Sequence, residues 1–295
     1  MAELITVNPA LVFQAPTTSP RPALGLLHLL TLCALFFAVE IAVFVVTALA
    51  QGAMDLQPDF HLRRLLSEMV AWPITLWAGL RWTQSSFRDA CPLTPFPLRT
   101  VPALLVTAFG FTVFVWGITL NTSLFETQGT PNAIELQQAT PIVRFLRCII
   151  IPPVAEQLFF AGFILGICRA RFSLARAIWL SALLFALIQM PPAKALLMFP
   201  IGLWSAWLAV RTGSLLPGIL VHTTIIFTIL VLYRPMLHGL VRASDWLNSP
   251  HLVPLPIIGF GLLLFAAGGG FHLRQILVLQ PTAPLEKDDV SPHKV

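Results

Sequence analysis

Four side chains in the apolar part of this chain are equipped for chemistry: Glu156, Gln157, Gln189 and His222. Glu156 and Gln157 stand together inside the run 149–165, which is otherwise almost wholly apolar. An ionisable group in hydrocarbon is costly, so it turns toward a protein interior or a wet cavity. That makes Glu156 the first candidate for function; the alternative is a structural carboxyl, protonated or hydrogen-bonded to a neighbouring helix. His222 adds an imidazole able to trade protons near neutral pH, although a lone helical histidine is more often a packing residue. Gln189 can donate and accept hydrogen bonds but cannot shuttle a proton. Glu40 and Glu68 are further acids in apolar segments. With little polar company, they read as structural, each pairing with the other or with an arginine from a helix end.

The elements that must position these residues follow from composition. Hydrophobic residues make up 57 % of the 295-residue chain and charged residues 11 %, against about a quarter charged in soluble domains. The apolar runs are continuous and of spanning length, without the alternation of a β-barrel. The fold class expected is therefore all-α: a polytopic transmembrane helical bundle of about eight spans. The spans are predicted at 23–50, 65–82, 101–120, 141–170, 174–190, 195–210, 215–233 and 253–273. A polar connection at 51–64, a Pro- and Arg-containing linker at 83–100 and a polar loop at 121–140 separate them, and 234–250 reads as an amphipathic surface segment. The transmembrane domain thus covers 23–273, between a flexible tail at 1–22 and a charged tail at 274–295. Pro152-Pro153 should kink the fourth span just before Glu156.

Charge and cysteine usage exclude several classes. The formal charge of +5 comes from basic residues scattered singly or in pairs, so no nucleic-acid partner is expected. Cys33, Cys91, Cys148 and Cys168 lack metal-type spacing and read as small buried hydrophobes. Glu156 and His222 offer two ligands where zinc hydrolases generally use three, so neither a metal nor another cofactor is expected. No secretory leader is visible in 1–22. With eight spans, the side holding both termini collects eleven Lys and Arg residues against seven on the other, which predicts cytoplasmic termini.

Four stretches carry a family resemblance. The run Arg211-Thr212-Gly213-Ser214-Leu215-Leu216-Pro217-Gly218-Ile219-Leu220-Val221-His222 resembles the signature before the last conserved His of the CPBP family, the CAAX-processing and bacteriocin-processing intramembrane proteases. The stretch around Glu156 is similar to that family's first motif, Glu-Glu-x-x-x-Arg followed by Gly. Phe185 to Gln189 resembles its second, Phe-x-x-x-His, and Phe199-Pro200-Ile201-Gly202 its Phe-x-x-Gly segment. Order and spacing both match, over roughly 140–230. Pro95-Phe96-Pro97-Leu98-Arg99 adds a weaker likeness.

The resemblance implies a CAAX-protease-like core and roles for individual residues. Glu156 falls where the family has its water-activating Glu, and His222 where it has its later His. Gln189 falls at the position of the His that works with that Glu, and Ile226 at that of an Asn that stabilises the oxyanion with the later His. A glutamine carries no proton and an isoleucine offers no donor. Gln157 and Ala161 stand where the family has a second Glu and an Arg, four residues apart and able to pair on one helix face. Both charges are replaced together, which avoids stranding one of them in a low-dielectric interior.

Two functions follow. The first is a binding protein on the protease fold, impaired in proteolysis, which takes a lipidated or hydrophobic peptide or a membrane-protein partner among the membrane lipids. The second is an active glutamate-dependent endopeptidase of the CAAX-processing type. A transporter or channel would need a charged pathway, and four scattered ionisable residues without an inverted repeat argue against it.

Overall fold

The structure is a computed structural model and describes residues 26–54, 59–121, 140–189, 192–247 and 254–278. The expected tail at 1–22 lies outside these residues, as do 122–139 of the polar loop and 279–295 of the charged tail.

Helix α1 (Leu26–Ala53) runs into α2 (Phe60–Thr83). Asp59 caps α2, its Oδ1 accepting from the Leu62 amide at 2.8 Å, which satisfies one of the amides a helix start leaves open. This cap corrects the expected connection at 51–64: residues 60–64 are the first turn of α2, not loop. At the other end Gln84, at φ 53, closes α2 with a left-handed residue whose amide bonds to Arg81 O. The short α3 (Phe87–Ala90), capped by Ser86, leads through a 3₁₀ turn at Leu98–Thr100 into α4 (Val101–Asn121).

Helix α5 (Pro141–Arg169) is followed by α6 (Leu174–Leu187), α7 (Pro192–Thr212), α8 (Leu216–Leu247) and α9 (Pro254–Val278). Three boundaries differ from expectation. Helix α6 stops at Leu187, so Gln189 sits in the turn beyond it. The segment expected as a separate surface piece at 234–250 continues α8 to Leu247, since Pro235 lacks the helical donor but does not break the helix. Helix α9 runs on to Val278.

Among the described residues there is no strand. Four helical stretches among the described residues are long and apolar enough to cross a membrane: Leu27–Ala53, Leu98–Ile118, Pro141–Arg169 and Lys194–Thr212. Leu174–Leu187, Leu216–Val231 and Pro256–Phe271 are shorter apolar helices. The protein is a helical membrane bundle.

Helix α5 is apolar on every side over 158–168, and a helix of that kind belongs in the middle. Phe159, Phe160, Phe163, Ile164 and Leu165 are all buried, packed with Trp72 of α2, Phe185 of α6, Ile201 and Leu208 of α7 and Ile225 of α8. Trp72 and Phe160 stack edge to face with centroids 6.1 Å apart, and Phe160 meets Phe185 at 5.5 Å. Helices α4 and α9 approach through glycine. A Cβ on Gly261 would meet the backbone of Phe114, and one on Gly268 would meet Thr107 and Ala103 O. Small residues at such a seam let helix backbones touch, the usual route to tight packing in a bilayer.

Candidate functional site

Two prolines prepare the site. Pro152 and Pro153 have no amide hydrogens, so the carbonyls one turn earlier lose their usual donors. The helix answers by widening into π turns at Phe145–Ile150 and Gln157–Ile164, on either side of the α-helical Ile151–Glu156. The Ile151 amide reaches back five residues to Leu146 O, and the Leu165 amide to Phe160 O. The expected bend before Glu156 thus takes the form of two π segments, with Glu156 and Gln157 at the junction of the second. Insertions of this kind recur at functional sites because they re-aim side chains.

The turn after α6 brings Gln189 to Glu156. Its amide bonds to Ala186 O at 3.1 Å, and its side-chain Nε2 donates to Glu156 Oε1 at 3.1 Å. His222 arrives from α8. Its Nε2 lies 3.8 Å from Glu156 Oε2, its Nδ1 faces Gln157 Nε2 at 3.3 Å, and its ring stands edge-on to Phe185 at 5.7 Å. The structure therefore gathers Glu156, Gln157, Gln189 and His222 at one place. His222 is 2 % exposed and the Glu156 side chain 12 %.

Where Gln157 Nε2 donates to Nδ1, the imidazole carries its proton on Nε2, on the side of the Glu156 carboxyl group. Gln157 as a partner of His222 did not emerge from the sequence; an amide beside an acid in an apolar helix was its only signal. The close approach of α8 depends on Gly218, where a Cβ would stand 3.1 Å from Gln157 Oε1 and 3.3 Å from Ser205 Cβ. Gln157 Oε1 and Ser205 Oγ are both buried without a hydrogen-bond partner among the described residues.

The start of α8 is pinned by the linker before α4. Ser214 Oγ donates to Thr94 O at 2.6 Å, Thr94 Oγ1 donates to Gly213 O at 3.0 Å, and the Leu215 amide donates to Pro92 O at 2.9 Å. Gly213, at φ 64, makes the left-handed turn that ends α7. Cys91 Sγ lies 3.3 Å from Leu158 O, tying the same linker to α5. One short segment thus fixes two of the helices that carry the site.

Ile226 is partly buried and packs against the hydrophobic core, and Ala161 is buried on α5. Glu40 and Glu68 form a separate group. Arg64 Nη2 lies 3.0 Å from Glu40 Oε1, and Arg64 Nε bonds Glu68 Oε1 at 3.0 Å. Arg147 of α5 contacts His61 of α2 beside them. His28 stacks on Trp82, centroids 4.8 Å apart. Among the described residues no three His, Cys, Asp or Glu side chains gather as a metal-holding group.

Residues 138–228, which run from the approach to α5 to just past His222, match the family model of type II CAAX prenyl endopeptidase Rce1-like proteins. These residues form a CAAX-protease-like core. Neither a curated protein nor a solved structure matches it. The four gathered side chains all lie within the family-matched core, and this CAAX-protease-like protein is an integral membrane protein.

Proposed function

We propose that this CAAX-protease-like protein is impaired in proteolysis and acts by binding a hydrophobic or lipidated peptide segment or a membrane partner. The observation that carries the reading is the Gln189–Glu156 hydrogen bond. An amide occupies the place of a proton-transferring imidazole and holds the carboxylate without being able to take its proton. Ile226, packed in the core, adds no donor for a developing oxyanion. Loss of an acid–base residue costs about 100- to 10,000-fold in rate, and loss of one oxyanion donor about 100- to 1,000-fold. The polar groups that remain suit recognition of a backbone amide in an apolar setting. The excess of Lys and Arg on the side holding the termini supports a multi-pass chain with cytoplasmic termini.

One observation favours the second reading, an active endopeptidase. Glu156 and His222 still face each other at 3.8 Å, so a carboxylate and an imidazole remain together. A reconstituted cleavage assay separates the two. Wild type, Glu156→Ala and Gln189→His/Ile226→Asn are compared on prenylated and unmodified peptides, with peptide binding measured in parallel. The expected result is binding by the wild type, weakened by Glu156→Ala, with no cleavage above the Glu156→Ala background. Wild-type cleavage abolished by Glu156→Ala overturns the impaired reading.

A further inference from the structure

The turns at one end of the bundle are strongly basic. Hydrogen bonds between the 91–97 linker and the 213–215 turn hold Arg81, Arg88, Arg99 and Arg211 at the same end. Helix α5 leaves the bundle here too: a Cβ on Gly162 would touch Ala90 O and Leu215, and the chain then passes Arg169, Arg171 and Arg176. Across 81–100, 169–176 and 211–215 there are seven arginines and a single acid, Asp89.

At this end a cleft of about 440 Å³ is lined by Trp77, Leu80, Arg81, Gln84, Ser85 and Ser86. Its volume is in the range of small-ligand sites. The cleft is amphipathic along α2. Trp77, 60 % exposed, and Leu80 lie on the apolar last turns of α2, while Arg81, Gln84 and the two serines lie where the helix ends. The left-handed Gln84 turns the chain back, and the Ser85 amide bonds to Leu80 O at 3.0 Å, so both serines come round to the side of Arg81. The Arg81 guanidinium lies 5.7 Å over the Trp77 ring and has no carboxylate partner among the described residues. Ser86 Oγ accepts from the Asp89 amide at 3.2 Å, and its own proton remains available to donate.

We infer that this cleft binds the phosphate of an anionic phospholipid. Arg81 donates to the phosphate oxygens, Ser85, Ser86 and Gln84 supply neutral donors around the headgroup, and the acyl chains run down over Trp77 and Leu80. A tryptophan and an arginine at the level of the headgroups, on a basic face, form the combination that holds anionic lipid. The inference is independent of whether Glu156 supports proteolysis.

The test is native mass spectrometry of the full-length protein in detergent, counting retained dioleoyl phosphatidylglycerol against dioleoyl phosphatidylcholine. The variants are Arg81→Ala, Arg81→Lys and Arg176→Ala, the last a control on the same face but outside the cleft. Wild type should retain phosphatidylglycerol selectively. Arg81→Ala should weaken retention about fivefold, the weight of one arginine beside an anionic surface, with Arg81→Lys between and Arg176→Ala unchanged. An exposed side chain is removed, so the melting temperature should not move. Equal loss in Arg176→Ala reduces the site to diffuse charge and overturns the inference, as does equal retention of phosphatidylcholine. Displacement of the lipid by equimolar inorganic phosphate makes free phosphate the ligand and overturns it as well.

Discussion

Gln189 Nε2 lies 3.1 Å from Glu156 Oε1 and donates to it, so a side chain unable to move a proton holds the one carboxylate at the centre of the family-matched core. Such a bond is worth most where its acceptor is an ionised, largely buried carboxylate, because leaving that acceptor unmet costs its desolvation. Gln189→Leu should therefore destabilise the protein by about 1–3 kcal/mol. In a Glu156→Gln background the same change should cost much less, since the acceptor is then neutral. Thermal melts of the four proteins in detergent form a double-mutant cycle, and additive costs would show that the two side chains do not interact.

Arg64 serves two carboxylates, Glu40 on α1 and Glu68 on its own helix. Its side chain is 42 % exposed while those of Glu40 and Glu68 are 5 % and 11 %, so the acids are the buried partners and the cation lies nearer the surface. Removing one partner of a fully buried pair costs about 3–5 kcal/mol, and the partial exposure of Arg64 puts the expectation for Arg64→Met at or below about 3 kcal/mol. The triple variant Glu40→Gln/Arg64→Met/Glu68→Gln removes the two acids together with the cation between them and should melt closer to the wild type than Arg64→Met does. A triple variant as unstable as Arg64→Met would show that the arginine acts through its packing stem and not its charge.

The contrast between these two clusters shows what the sequence could and could not disclose. Apolar runs of spanning length made the helices readable, because hydrocarbon demands an internally bonded backbone. Glu156, Gln189 and His222 came to notice as a set through family resemblance, since no periodicity relates residues on α5, α6 and α8. Arg64 was read as part of a connection, because the Asp59 cap that starts α2 earlier gives no apolar signal. Gln157 was read as a replaced charge. Its bond to His222 needs the π segment after Glu156, and a change of helical pitch leaves no mark on residue spacing beyond the two prolines before it. The bonds from Thr94 and Pro92 to the start of α8 join segments about 120 positions apart, a distance at which local patterning carries no information.

Gly268 of α9 lies so close to Thr107 and Ala103 O on α4 that an added Cβ falls inside ordinary contact distance, whereas Gly270 has nothing within 4 Å. Both lie in one helix, so their intrinsic helix preferences match, and Leu gains about 1 kcal/mol over Gly at either. Overpacking at Gly268 costs about 1–3 kcal/mol or more, because backbone and not a flexible side-chain tip must yield. Gly268→Leu should lower the melting temperature and loosen α9 in hydrogen exchange, while Gly270→Leu should leave both unchanged or raise stability slightly. Equal effects would mean that α4 and α9 are not in backbone contact.

Cys91 lies in the linker outside the spans and is 2 % exposed; burial pushes its thiol from 9.0 up to about 12. At neutral pH it is held as the unreactive thiol, and a maleimide should modify it only after unfolding. The sign of the linkage follows from the proton. Above pH 9 the unfolded chain gives up the Cys91 proton while the folded chain keeps it, so the folded state loses ground. The contribution of this group is fully present below pH 9 and is lost as pH rises toward 12. The difference in stability between wild type and Cys91→Ala, measured by denaturant titration at several pH values, should be flat below pH 9 and then turn against the wild type. A difference that stays constant from pH 8 to pH 11 would place the thiol in contact with water, and the bond from Cys91 to Leu158 O that helps the linker grip α5 would then be absent.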